Sequence, residues 1–390
     1  MNTKEARMRL LFVTDHVHLP QRVGGTKSST HDLCLSLGER GHAVAVLCRL
    51  EGGGALALFH RATRRAFGPA RPIADRVLGY PAYRSFAVDS AGVAVAARAF
   101  GADLIVLQAE RPTPLVVAAL ATGLPAVVYL RDVELHKLDA PLPADEPRLR
   151  YVANSEFTAR RYREAFGLRA AAVPPLMRPE RYRAGTPMSE RRFVTFVNPV
   201  PAKGSAIAFA LAEARPDLHF LFVEGWPVGE AEGRVRKERA RALGNVVWQP
   251  SVQDMRPIYA RTRLLLAPSQ WEEAWGRVAS EAQMSGIPVL ASRRGGLPEA
   301  VGPGGVLLEH DAQPAAWAGA LSAMLDDPGR HAALSAAAEA HARRPDIQPA
   351  ALLARLEAIL SDHAAACARA GAAAAAPRRA GAVAPAAAAR

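Results

Sequence analysis

The sequence predicts an α/β protein of two doubly wound, Rossmann-like domains. Three observations carry that expectation. Short apolar, β-rich runs alternate with helical stretches in both halves of the chain, the pattern of parallel strands covered by helices. A proline- and glycine-dense break, from Val173-Pro174-Pro175 to Gly185-Thr186-Pro187, interrupts the alternation, which restarts beyond it. A chain of 390 residues also exceeds what one ordinary core organises.

In the first half, strands are expected at 10–13, 43–47, 104–107, 126–130 and 151–153, where continuous apolar runs suit a sheet buried on both faces. Helices are expected at 28–40, 112–121 and 155–166, while 49–83 reads as an irregular excursion. The uncharged run 112–130 is long enough to span a bilayer, but Pro112, Pro114, Gly123 and Pro125 make helix, turn and strand the better reading. In the second half, strands are expected at 193–197, 220–223, 246–248, 264–267, 289–291 and 306–308, with helices at 203–214, 254–259, 276–284 and 314–325. The expected division is 1–185, 186–345, a C-terminal helix within 346–363 that can pack back on the first domain, and a disordered Ala-rich tail over 364–390.

The charge balance is 49 Lys+Arg against 37 Asp+Glu, a net +12, which favours anionic partners. No dense basic run with interleaved aromatics points to specific nucleic-acid binding. Three cysteines, Cys34, Cys48 and Cys367, form no Cys-x-x-Cys pair, which argues against a disulfide framework or structural zinc and fits a reducing cytoplasm. His16 and His18 lack a third ligand at a metal-site spacing.

The most informative stretch is Pro268-Ser269-Gln270-Trp271-Glu272-Glu273-Ala274-Trp275-Gly276-Arg277-Val278-Ala279-Ser280-Glu281. It sets Glu273 ahead of a helix that carries Glu281, with Gly276 at the helix start. Unpaired N–H groups there attract phosphate, and the two carboxylates can hold sugar hydroxyls on either side of a diphosphate. Lys203-Gly204 follows the first strand of the second half and Gly24-Gly25-Thr26 that of the first, both at strand ends where α/β domains take ligand. Either could also be a plain capped turn. Ser292-Arg293-Arg294-Gly295-Gly296 forms another basic, glycine-bearing strand-to-helix loop. Arg131, Asp132 and His136 leave the 126–130 strand, either facing a cleft or with Arg131 paired to Asp132.

Together these pieces resemble the retaining glycosyltransferases of family 4, which adopt the GT-B fold of two Rossmann-like domains facing across a cleft. Glu273 and Glu281 match that family's Glu-x7-Glu signature, and Gly286-Ile287-Pro288-Val289 with Gly295-Gly296-Leu297-Pro298-Glu299 matches its continuation. Val152-Ala153-Asn154-Ser155-Glu156, the loop from Asn198 to Gly204, and Gly24-Gly25 look like its other landmarks.

The resemblance implies transfer of a sugar from a nucleotide diphosphate sugar to an acceptor hydroxyl in glycan or polysaccharide assembly, with no metal or other cofactor. It implies Glu273 on donor-sugar hydroxyls, Glu281 on the ribose, Lys203 on the diphosphate, and backbone amides of Trp275, Gly276 and Arg277 on the distal phosphate. Gly24, Gly25, Asn198, Gly295 and Gly296 would line the donor, with Asp132 a further catalytic candidate. Two positions depart from the family pattern: Asn198 stands where an arginine is common and Arg131 where a histidine is common, with Arg277, Arg293 and Arg294 as substitute cations for the first. A nucleotide-sugar epimerase, a phosphorylase or a non-catalytic nucleotide-sugar-binding protein on the same fold are the alternatives. The expected partners are the donor and a glycan, lipid-linked or small-molecule acceptor. The expected location is the cytoplasm, with peripheral contact at the inner membrane face if the acceptor is lipid-linked.

Overall fold

The structure is a computed structural model that describes residues 7–22, 24–68, 73–138, 140–226 and 229–375. The first half comprises β1 (Arg9–Val17), α1 (Gly25–Glu39), β2 (Ala43–Arg49), α2 (Gly54–Phe67), β3 (Ala74–Asp75), β4 (Ala82–Ser85), α3 (Ser90–Phe100), β5 (Leu104–Leu107), α4 (Pro112–Ala121), β6 (Ala126–Leu130), β7 (Leu149–Ala153), α5 (Glu156–Phe166) and β8 (Ala170–Ala172). The second comprises β9 (Phe193–Val197), α6 (Ser205–Ala214), β10 (His219–Val223), α7 (Glu230–Leu243), β11 (Val246–Gln249), α8 (Arg256–Tyr259), β12 (Thr262–Ala267), α9 (Arg277–Gln283), β13 (Val289–Ser292), α10 (Leu297–Val301), β14 (Gly305–Leu308), α11 (Pro314–Leu325), α12 (Pro328–Ala342) and α13 (Pro349–Ala375).

The eight-stranded sheet runs β3-β4-β2-β1-β5-β6-β7-β8 and the six-stranded sheet β11-β10-β9-β12-β13-β14. Every pairing is parallel except β3 with β4. Parallel strands buried on both faces need apolar side chains at successive positions. Leu10, Leu11, Phe12 and Val13 meet that need in β1, alternately feeding the cores on the sheet's two sides. Both sheets reverse strand order beside their first strand: β1 lies between β2 and β5, and β9 between β10 and β12. Such reversals open a crevice at the carboxyl ends of the strands. The loops leaving β1, β9 and β12 are the ones that carry Gly24, Lys203 and Glu273.

Several elements depart from the sequence expectations. The described residues within 49–83 are more regular than expected: they form α2 and the β3–β4 hairpin, which extends the first sheet. Besides α2 and the short α10, three helices went unread. α3 is set by the Asp89 carboxylate, which accepts from the Gly92 amide at 2.7 Å, and by left-handed Gly101. α7 buries only Gly233 and Ala240, so no apolar stripe marks it. α12, alanine-rich, buries only His331 and Ala338. The tail expected to be disordered from residue 364 is helical through Ala375, because alanine, the strongest helix former, prolongs α13; residues 376–390 lie outside the described ones. Leu352, Leu353, Leu356 and Leu360 of α13 are buried in the core of the first sheet, each contributing about 2 kcal/mol by area removed from water. Buried Glu357 fastens the same helix, accepting from Arg40 Nε at 2.7 Å and lying 3.0 Å from His42 Nε2. The run 112–130 divides into α4 and β6, and among the described residues no helix is long and apolar enough to cross a membrane.

Candidate active site

β9 ends at Val197, and the chain turns sharply. Asn198 is the one non-glycine with positive φ among the described residues (66°). Its Oδ1 accepts from the Trp226 amide at 2.9 Å, so its side chain fixes the neighbouring loop. A short 3-10 turn, Pro201–Lys203, then brings Lys203 to the second sheet's edge. Its Nζ lies 2.5 Å from Glu273 Oε1 and 4.6 Å from the centre of the Trp226 ring. Ser269 Oγ donates to the same Glu273 oxygen at 3.0 Å. The Ala202 carbonyl accepts from the amides of Gln270 and Trp271, both at 2.9 Å, which stitches the lysine loop to the glutamate loop. Two candidates 70 residues apart in sequence thus form one unit.

Gly276 opens α9 at φ 103°, and a Cβ there would meet Leu297 Cδ2 at 2.6 Å. Trp275 is buried and its Nε1 donates to Ser280 Oγ at 3.0 Å. Gly295 and Gly296 belong to this assembly, but as packing. A Cβ on Gly295 would come within 2.3 Å of the Glu273 carbonyl oxygen, and one on Gly296 within 2.6 Å of Ala274 O. The Gly296 amide donates to Glu273 O at 2.6 Å. These glycines let the 295–296 loop press against the backbone that carries Glu273.

The side chains of Arg277 and Glu281 turn inward and pair with each other, which commits the Arg277 guanidinium and leaves its backbone amide out of the contact. Arg277 Nε donates to Glu281 Oε1 at 2.7 Å, and its Nη2 to Asp32 Oδ2 at 2.9 Å and to the Tyr182 hydroxyl. Tyr259 OH donates to Glu281 Oε2 at 2.8 Å, and Arg181 donates to Asp32 Oδ1. Asp32 is fully buried. Burial opposes the Arg277 charge, but Tyr182, Glu281 and Asp32 outweigh it and hold the guanidinium above its ordinary pKa. Burial pushes the Glu281 carboxyl up, with Arg277 opposing. Both Glu281 oxygens are engaged, so a ribose hydroxyl would have to share one of them. Gly25 lies against the Arg277 stem, its Cβ position 3.6 Å from Cδ, so the glycine loop of the first domain does meet the start of α9.

Asp132 makes none of the hydrogen bonds that join Lys203 and Glu273. Its Oδ1 accepts from the Glu134 amide at 2.8 Å, a turn-forming contact. Arg131 does not pair with it; the guanidinium lies 4.0 Å over the Tyr129 ring and donates to Thr30 Oγ1 at 3.3 Å. The substitute cations are committed as well: Arg293 to Glu309 at 3.1 Å and Arg294 to His310 at 2.8 Å. Lys27 went unread. It lies in the first turn of α1, its Nζ 3.6 Å from the Cβ position of Gly24, and burial lowers its pKa. Its signal was a lysine two residues after a glycine pair at a helix start. Beside Trp226 a cleft of about 740 Å³ is lined by Pro20, Gln21 and Arg22 of the first half and by Trp226, Trp248 and Ser251 of the second, among others.

The profile of Glycosyltransferase Family 4 matches residues 23–177 and that of Glycosyl transferases group 1 matches residues 195–327. The chain is 38% identical over 185 residues to the D-inositol 3-phosphate glycosyltransferase of Thermobispora bispora, covering 42% of each. It is 31% identical over 270 residues to that of Nocardiopsis dassonvillei, covering 58% of this chain and 63% of the relative. The matched regions therefore span about half the length of these relatives. Among solved structures, Anabaena HepE in complex with UDP-glucose superposes with a TM-score of 0.71 at 19% identity, over 91% of this chain and all of that one. WaaG, a glycosyltransferase involved in lipopolysaccharide biosynthesis, superposes at 0.64 and 16% identity, over 90% and 99%. Both share the GT-B arrangement of two parallel-sheet domains.

Proposed function

The chain belongs to glycosyltransferase family 4, and from that membership we propose that it moves a glycosyl unit, of hexosyl type, from a nucleotide diphosphate sugar to an acceptor hydroxyl with retention at the anomeric carbon. The observation that carries the reading is the convergence of Lys203 and Glu273 on one edge of the second domain, beside a cleft to which both domains contribute. Breaking the glycosidic bond leaves negative charge on the diphosphate. Lys203 and the backbone amides at the start of α9 answer that charge without a divalent ion, and Lys27 adds a cation from the opposite domain. Glu273 then exchanges its contact with Lys203 for hydroxyls of the donor sugar. Trp226 and Trp248 offer apolar faces for the nucleoside end. The acceptor is a hydroxyl compound of glycan, lipid-linked or small polyol type; the relatives' names place inositol phosphate in the last class. The three unpaired cysteines fit a reducing, cytoplasmic setting.

A thermal-shift screen of nucleotide sugars identifies the donor, since a ligand that binds only the folded state raises Tm. With that donor, Glu273→Gln and Lys203→Ala should each reduce release of nucleoside diphosphate by at least a hundredfold with Tm unchanged, and EDTA should leave the wild-type rate intact. Near-normal turnover by either variant would sink the assignment. Conversion of the donor alone, with no acceptor present, would favour an epimerase.

A further inference from the structure

We propose that α2 is a membrane-docking helix that seats the first domain on an anionic lipid surface. A helix on a globular domain ordinarily buries its apolar stripe. α2 does the reverse. Ala55, Leu58, Phe59, Ala62 and Ala66 recur at the spacing of one helical face, and all five are exposed, Leu58 at 65% and Phe59 at 44%. The inward face carries Ala57 and His60, and His60 is buried there because its Nε2 lies 3.0 Å from Asp75 Oδ2, which also accepts from Arg84 Nε at 2.7 Å. A polar anchor thus holds α2 with its hydrophobic side to solvent. Arg61 and Arg65 border that side, Arg64 is exposed at the helix end one turn beyond His60, and the helix contains no acid. Among the described residues no carboxylate pairs with any of the three. Phe86, 40% exposed, lies beside them with its ring centre 5.4 Å from the Arg61 guanidinium.

Apolar side chains bordered by arginines that have no carboxylate partner fit the boundary between acyl chains and anionic headgroups. An apolar protein partner would leave the arginine charge uncompensated. A second copy of this chain would set like charges against one another. The helix is also tied to the cleft. Glu51, just ahead of α2, accepts from Arg22 Nε at 2.9 Å, and its amide donates to Gln21 Oε1 at 3.2 Å; Gln21 and Arg22 line the cleft. Docking α2 therefore brings the cleft mouth to the bilayer. The inference does not depend on the transfer reaction.

The test is co-sedimentation of the full chain with phosphatidylcholine vesicles with and without one-quarter phosphatidylglycerol, at low and high salt. Wild type should bind the anionic vesicles, weaken as salt screens the arginines, and leave the neutral ones largely unbound. Leu58→Gln/Phe59→Gln and Arg61→Gln/Arg64→Gln/Arg65→Gln should each lower partitioning at least tenfold with Tm unchanged, because all five side chains are exposed. Failure of the wild type to bind anionic vesicles overturns the proposal, as does binding that both variants retain. A lipid-free dimer that the Leu58/Phe59 variant abolishes overturns it in favour of self-association.

Discussion

Gly204 occupies a position that no side chain fits. Its φ is 84°, and a Cβ would fall 1.9 Å from the Pro268 carbonyl oxygen. That approach of one backbone to another lets Lys203 reach Glu273, so the residue that looks like filler beside the lysine sets its position. Gly204→Ala combines positive-φ strain with a backbone clash and should cost more than about 2 kcal/mol. A urea midpoint like the wild type's would show that the two loops are looser than their contact. His18 supplies a different single-residue test. Burial, with Arg84, His31 and Lys27 adding to it, pushes its pKa down to about 3, whereas in the unfolded chain it titrates near 6.5. Between those values the unfolded chain holds a proton that the folded chain does not, so stability falls as pH drops through the window and is unaffected above it. The loss is about 1.4 kcal/mol per unit, or about 2 kcal/mol at pH 5. Urea unfolding between pH 5 and 7.5 should show a shallower acid limb for His18→Gln, which can still bond the Tyr80 hydroxyl 3.0 Å from the His18 ring. Parallel limbs would mean that the unfolded state, or another group, sets the slope.

At the scale of elements, α1 and α9 begin face to face and are joined through Asp32. The aspartate lies 245 residues from Arg277 and 149 from Arg181, and it is buried among them with Tyr182. Removing one member of such a cluster leaves the others desolvated and unbalanced. Asp32→Ala should therefore destabilise by about 3–5 kcal/mol, whereas Asp32→Leu combined with Arg277→Met should recover a substantial part. Strictly additive losses in the double variant would refute the coupling. The same cluster shows why part of the site could not be read from the chain. Lys203 and Glu273 announced themselves because each sits in a strand-end loop shortly before a glycine, Gly204 directly after the lysine and Gly276 three residues after the glutamate, a local pattern tied to parallel-strand topology. Asp32, Arg181 and Tyr182 have no local signature; only the folded arrangement brings them to Arg277. Gly295 and Gly296 were readable as glycines but not in purpose, since close approach to a ligand and close approach to the Glu273 backbone demand the same residue. Strands were legible wherever both faces are buried, as in β1, β6 and β12. α7 was not, because a helix that buries only Gly233 and Ala240 leaves no apolar period to see.

Over the whole molecule, the two domains meet at the loops that carry the site. Ser155 Oγ donates to the Ala274 carbonyl at 2.6 Å and Thr158 Oγ1 at 3.2 Å, so the first turn of α5 holds the residue next to Glu273. The amides of Glu156 and Phe157 donate to the Glu299 carboxylate at 2.9 and 2.7 Å, and Glu299 lies on the segment that Gly295 and Gly296 lay against the glutamate loop. Domain approach and the placement of Glu273 are therefore mechanically one event. Charge-assisted hydrogen bonds of this kind contribute about 1.5–3 kcal/mol together with the favourable end of the α5 dipole. Their loss would shift an open–closed equilibrium by roughly tenfold to a hundredfold toward open. Glu299→Ala should then give a larger radius of gyration by small-angle X-ray scattering. A donor that binds across the cleft should restore the compact profile at saturation, at the cost of a raised donor KM. Glu299→Gln keeps an acceptor for both amides and should fall between. If Glu299→Ala scatters like the wild type and keeps its KM, the Asp32 cluster alone holds the domains together and the α5 contact merely accompanies closure.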